Sequence, residues 1–165
     1  MEREFVTYEI ALALKELGFD EPCFAWFVSE GYGLEFISRN SHKFGKVIQS
    51  DLIKDGVVAP TFSGAFRWFR EKYDLHVQIR KENYFTRSKY EYFHFDISEG
   101  EKNDITKQED LYNDIMDECS QDIPGNYLND EKFSNLIFKK RFAFKSYEET
   151  ELACLIKLIE IVKSK

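Results

Sequence analysis

The sequence predicts an α+β fold, a single domain in which helices cover an antiparallel sheet of about four or five strands. Three observations predict this fold: three segments with helical spacing and capping signals, several short runs with strand character, and enough apolar residues for a core. Of the 165 residues, 43% are hydrophobic and 16% are aromatic, while only three are proline. Because this length and composition are typical of one globular domain, we expect a single domain over residues 1–165.

The first helix is predicted over residues 7–17. Thr7 can cap its start, apolar residues recur at three- and four-residue spacing, and Gly18 supplies a stop. The apolar run 23–28 predicts a buried strand, which a glycine-rich turn joins in a hairpin to a second strand in residues 34–38. Residues 39–59 lack a regular pattern, and we expect an irregular insert there, either a short helix or an extended arm.

The second helix is predicted over residues 61–73, where apolar side chains share one face behind a Thr61 or Ser63 cap. Alternation predicts strands in residues 75–79 and 90–97, with residues 80–89 as their connection.

Two further helices are predicted near the end of the sequence. An apolar stripe predicts an additional helix at 108–120. The last main helix is predicted over residues 147–163, behind a capping box in which Glu149 bonds back to Ser146.

The charge is strongly segregated along the chain. The net charge is −7, but residues 96–131, the acidic segment, contain 12 acidic and 2 basic residues. Residues 132–145, the basic stretch, contain five basic residues and no acid. Such a block of like charge predicts an interaction surface or a solvated insert, and both readings stay open at this point.

Three parts of the sequence carry a resemblance to known proteins. They are residues 5–9 with 11–24, residues 59–62 with 65–73, and residues 146–149 with 151–162. Together they resemble a group of small uncharacterised proteins of tailed phages, prophages and Bacteroidota-associated metagenomic contigs, which has no established activity. The resemblance implies a phage-related context and a shared helix–hairpin core. Residues 39–58 and 99–145 are longer than this group leads us to expect, so a specialised role is expected there.

Candidates for chemistry are few, and we predict no catalytic residue. His76 and His94 lie on predicted strands that can bring them together, and Asp96 shares the face of His94, so a hydrolytic or metal site is conceivable there. No metal-ligand spacing or catalytic motif accompanies them, and a structural role is favoured. A small hydrolase is therefore the third-ranked hypothesis.

Other patterns argue against cofactors and export. Cys23, Cys119 and Cys154 fit neither a disulfide framework nor a metal knuckle, and we expect reduced thiols. No phosphate-binding glycine loop or EF-hand loop is present, so no cofactor and no metal is predicted. The start MEREFVTYEI lacks a signal-peptide pattern, and we expect a cytoplasmic protein, in the host cytoplasm if phage-encoded.

The leading functional hypothesis is a non-enzymatic binding or accessory module that contacts a host or phage protein through the acidic segment. The candidate contact residues are Glu109, Asp110, Asp114 and Asp117. The alternative is a nucleic-acid-binding protein, because residues 80–95 interleave basic and aromatic side chains and the basic stretch can extend them. The candidate residues for that alternative are Arg80, Lys81, Arg87, Lys89, Lys139, Lys140 and Arg141.

Overall fold

The computed structural model describes residues 2–28, 33–36, 56–82, 92–100, 103–104 and 143–165. Within these residues the fold is α+β, as the sequence predicts, with three α-helices and two antiparallel sheets. The helices are α1 (Tyr8–Glu16), α2 (Phe62–Tyr73) and α3 (Tyr147–Lys163), and a short 3-10 helix spans Glu2–Glu4. The strands are β1 (Ala25–Phe27), β2 (Leu34–Phe36), β3 (Val57–Val58), β4 (Leu75–Glu82), β5 (Tyr92–Glu99) and β6 (Asn103–Asp104).

The six strands form two sheets of three, with the orders β2-β1-β3 and β4-β5-β6. Within the described residues, the strands therefore form two sheets where the sequence predicts one sheet of about four or five strands. The chain also divides into two compact units: Met1–Asp74 with Leu155–Lys165, and Leu75–Cys154. We call them the first unit and the second unit. The prediction of one domain over residues 1–165 stays a prediction.

The first unit begins with the predicted helix and hairpin. Thr7 is the N-cap of α1, and Gly18 follows the helix with a φ of 79°, a conformation that glycine adopts without strain. β1 pairs antiparallel with β2, as the hairpin predicts, and on its other edge with β3. β3 is the end of the insert predicted at 39–59, most of which lies outside the described residues.

Helix α2 supplies the aromatic core of the first unit. Its N-cap Thr61 accepts a hydrogen bond from the Gly64 N–H at 3.1 Å. Trp68 is buried, and its ring lies 5.0–5.3 Å from the rings of Phe19, Phe69 and Tyr73. The helix ends at Tyr73, and the C-cap residue Asp74 has a left-handed φ of 56°.

The second unit contains a ladder of eight residue pairs between β4 and β5. One face carries Val77 and Ile79 opposite Ile97 and Phe95, and the other face is mostly polar. β4 extends to Glu82, beyond the predicted end at residue 79, so Arg80 and Lys81 lie on the strand and not in the connection. Strand β6 was not predicted at all.

Helix α3 has the predicted bounds and a modified capping box. The Glu149 N–H donates to Ser146 Oγ at 3.1 Å, as expected for the cap. The Glu149 carboxylate accepts instead from the backbone N–H of Lys145 at 3.2 Å, one residue before the cap. The helix predicted at 108–120 lies outside the described residues. In the part of the chain that the structure describes, no helix has the length and apolar character needed to span a membrane.

Candidate functional site

The acidic segment and the basic stretch follow one another in the chain. Together they form its charged part, which starts and ends along one edge of β5. β4 occupies the other edge over the full length of the strand. Two pairings lie on the edge of β5 that faces away from β4. β6 pairs there at Ser98↔Asp104. Phe144 pairs with Phe93 through N–H···O hydrogen bonds of 2.9 and 2.8 Å. Residues 105–142 therefore connect two anchor points about 17 Å apart along β5. The four acidic candidates, Glu109, Asp110, Asp114 and Asp117, lie outside the described residues.

One end of this sheet combines basic and aromatic side chains. Lys81 pairs with Phe93, and Phe93 pairs with Phe144, so the three residues form one row across the sheet. The Phe93 ring meets Tyr147 edge-to-face at 6.1 Å, and Tyr147 is 46% exposed. Lys145, between Phe144 and Tyr147, is also exposed. We call these five residues the basic–aromatic end. It joins the predicted basic stretch to β4.

Arg80 is placed differently from its neighbour Lys81. Because side chains alternate along a strand, Arg80 lies on the opposite face, where its guanidinium forms an ion pair with Asp96. The structure therefore places these two candidates for nucleic-acid binding on opposite faces of the sheet. The remaining candidates for nucleic-acid binding lie outside the described residues: Arg87, Lys89, Lys139, Lys140 and Arg141.

The two histidines do not meet. His76 pairs with Ser98 and His94 pairs with Arg80, so the histidines are four positions apart along the ladder, about 13 Å. Asp96 does share the face of His94, as predicted from their spacing. His94 is only 6% exposed. Among the described residues no group of three or more His, Cys, Asp or Glu side chains is arranged to hold a metal ion.

The two described cysteines are free and buried. Burial raises the pKa of the Cys23 thiol to about 12, and the nearby Glu21 carboxylate adds to the effect. Burial also raises the pKa of the Cys154 thiol far above its ordinary value, with smaller contributions from Glu151 and Asp96. Because the thiolate is the nucleophile, neither residue is activated at neutral pH. Cys119 lies outside the described residues.

A cavity of about 500 Å³ in the first unit is a site that the sequence did not predict. It lies between the first turns of α2, the segment before β1 and the side chain of Phe5. Arg67 and Arg70 line it. The available signal was the spacing of Ser63, Arg67 and Arg70, which places all three on one face of the helix.

Compared with known proteins, the chain matches no protein-family model, no curated protein and no solved structure.

Proposed function

We propose that this protein is a non-catalytic binding module that contacts a partner protein through its acidic segment. The observation that carries the proposal is the anchoring of the charged part of the chain at two points on one edge of β5. A segment fixed at both ends to a sheet loses less conformational freedom on binding than a free tail does.

The charge pattern supports a partner with a basic surface. The acidic segment carries 12 acidic and 2 basic residues, so it attracts cationic surfaces over roughly a Debye length, about 8 Å at physiological salt. Electrostatic complementarity of this kind raises association rates and selects partners. The resemblance to phage and prophage proteins points to a host or phage protein. The buried free thiols Cys23 and Cys154 suit a reducing compartment such as the cytoplasm.

The test is a quadruple charge reversal in the full chain. Glu109, Asp110, Asp114 and Asp117 are replaced by Lys, and binding to an immobilised peptide rich in lysine and arginine is measured at increasing salt. The matched control reverses four exposed acids of the described chain, Glu4, Asp20, Glu35 and Glu160. Both variants change the net charge equally, so a difference between them reports the location of the charge.

We expect the wild-type protein and the control to be retained and the reversed variant to be lost. Equal retention of the two variants would contradict the proposal. Affinity capture from a cell lysate with the same three proteins then identifies the partner, which should be absent from the eluate of the reversed variant alone.

A second candidate function is nucleic-acid binding, which the basic–aromatic end favours. Lys81, Phe93 and Phe144 lie in one row of the sheet, and the exposed Tyr147 and Lys145 adjoin it. Single-stranded nucleic acids are bound by such mixtures, because aromatic rings stack on bases and basic side chains contact phosphates. We expect only a small contribution from Arg80, since Asp96 already pairs with it.

The nucleic-acid candidate predicts binding of a fluorescent single-stranded DNA at low salt, with affinity that falls steeply as salt increases. Tyr147→Ala and the pair Lys81→Ala with Lys145→Ala should each weaken binding about tenfold. Lys157→Ala, which removes an exposed cation of α3 outside this surface, should leave the affinity unchanged. A protein that binds no DNA at low salt, or variants that bind as the wild type does, would exclude this candidate.

A further inference from the structure

The cavity of the first unit has the volume and lining of a small-molecule site, and the proposed function does not use it. Its volume of about 500 Å³ lies within the range of roughly 300–1,000 Å³ that is common for such sites. Its lining combines three phenylalanines and two prolines with hydroxyl groups and two arginines. Apolar walls with a few convergent polar groups are the usual composition of a ligand pocket.

The apolar wall contains an unusually exposed aromatic ring. Phe24 lies just before β1 and is 54% exposed. It is held edge-to-face, at 6.0 Å between ring centroids, by Phe5, which is buried. Because the supporting ring is fixed in the core, Phe24 offers a positioned surface for a second planar group.

The three cations of α2 differ in how they are engaged. Lys72 donates to the backbone carbonyl of Gly18 at 3.1 Å and lies over the Trp68 ring, so it serves the fold. Arg67 has two carboxylates at 3.7 and 3.9 Å, Glu21 and Glu71, which are beyond hydrogen-bond distance. The Arg70 guanidinium makes no ion pair with any residue in the described part of the chain. Both arginines are exposed and line the cavity.

We propose that this cavity binds a small aromatic anion. The phosphate or carboxylate group of the ligand accepts hydrogen bonds from Arg70 and Arg67, and its ring packs against Phe24. Arginine suits this role because its planar fork donates two parallel hydrogen bonds to either group.

The position of Glu21 allows a test in which the proposal predicts an increase in affinity. This carboxylate lines the same cavity and is the nearer ion-pair neighbour of Arg67. A bound anion must displace it from Arg67 and tolerate its charge. Glu21→Gln should therefore tighten binding, a gain of function that a loss of folding cannot imitate.

The experiment titrates the full chain with phenyl phosphate, phenylacetate and inorganic phosphate, and follows amide signals by NMR. We expect saturable shifts at Cys23 and Gly64, and affinity for at least one ring-bearing anion about tenfold above that for inorganic phosphate. The preferred ring-bearing anion identifies the acidic group. Arg70→Ala should weaken binding at least about tenfold, because a hydrogen bond to a charged group is lost. Glu21→Gln should strengthen it severalfold.

Two further variants keep the result interpretable. Arg70→Lys retains the charge but loses the fork and should bind with intermediate affinity, while Lys157→Ala should match the wild type. Thermal unfolding followed by circular dichroism verifies that each variant is folded. The proposal is overturned if neither ring-bearing anion saturates the shifts, or if Arg70→Ala and Glu21→Gln leave the affinity unchanged.

Discussion

Whether a charged side chain of this protein is available to bind a ligand depends on the contacts that it already makes within the protein. Lys72 is held by a carbonyl and an aromatic ring, and Arg80 is held by Asp96 across the strands. Arg70, one turn before the end of α2, has no such carboxylate in the described chain. The sequence shows Lys72 and Arg80 only as basic positions, because the Gly18 carbonyl is distant along the chain and Asp96 lies on another strand.

The ion pair between Arg80 and Asp96 should make only a small contribution to the free energy of unfolding. The Arg80 side chain is 47% exposed and that of Asp96 is 18% exposed, so water screens the pair only in part. A double-mutant cycle with Arg80→Ala and Asp96→Ala should give a coupling of about 0.5–1 kcal/mol. Urea unfolding of the four proteins measures it. Purely additive losses would show that the ion pair contributes nothing to the fold.

Cys154 should make the stability fall in alkaline solution. Its pKa is raised in the folded state by burial, whereas an unfolded thiol titrates near its ordinary value of 9.0. Above that pH the unfolded chain holds fewer protons than the folded one, so the free energy of unfolding decreases as pH rises. The expected contribution approaches about 1.4 kcal/mol per pH unit.

Cys154→Ala removes this contribution and serves as the control. Urea unfolding of both proteins between pH 8 and about pH 10.5 should therefore give curves that converge as pH rises, since other groups titrate equally in both. Curves that remain parallel would show that the buried thiol does not carry the effect.

At the scale of elements, the cap of α3 is the clearest link between sequence and stability. Ser146 Oγ accepts from the Glu149 N–H, and the Glu149 carboxylate accepts from Lys145. Ser146→Ala should lower the free energy of unfolding by about 1 kcal/mol. Ser164→Ala, at the other end of α3, removes a hydroxyl that only donates to the Ile161 carbonyl and should cost less. If urea unfolding gives equal losses in the free energy of unfolding for the two variants, the cap does not stabilise the helix as proposed.

Helices were predictable here because their signals are local. Thr7, Thr61 and Ser146 each cap the helix that follows, and the apolar spacing extends over consecutive turns. The bounds of α3 match the prediction in full, and those of α1 and α2 match within about one residue.

Short strands and the cavity were not predictable in the same way. β3 is two residues long and is defined by its pairing with Trp26 and Phe27, which lie about 30 positions earlier. The extension of β4 through Arg80 and Lys81 resembles a polar connection, because it does not continue the apolar alternation, and only its pairing with β5 shows that it is part of the strand. The cavity collects residues from Phe5 to Arg70, and no local pattern reports such a combination.

On the scale of the whole molecule, the net charge of −7 conceals two opposite blocks whose ends are attached to one strand. The acidic segment begins on β5 with Asp96 and Glu99 and continues through Asp104 on β6. The basic stretch returns beside Phe93, next to Lys81. Under the two proposals, acids that attract a basic partner would also repel a nucleic acid that comes within the range set by screening.

Neutralising the candidate acids of the acidic segment should distinguish the two candidate functions, because one predicts a loss of affinity for a basic peptide and the other a gain of affinity for DNA. The variant replaces Glu109 with Gln and Asp110, Asp114 and Asp117 with Asn, while the control neutralises Glu4, Asp20, Glu35 and Glu160 in the same way. If the acidic segment binds a protein, capture on the lysine- and arginine-rich peptide falls about tenfold relative to the control at about 50 mM salt.

If the basic–aromatic end binds nucleic acid, the same variant gains affinity for single-stranded DNA severalfold over the control, because repulsion of the phosphates is removed. Fluorescence anisotropy with labelled DNA and retention on the peptide are measured on the same samples. Since both variants carry the same net charge, only the position of the removed charges differs. A variant that behaves as its control in both assays would show that the acidic segment takes part in neither interaction.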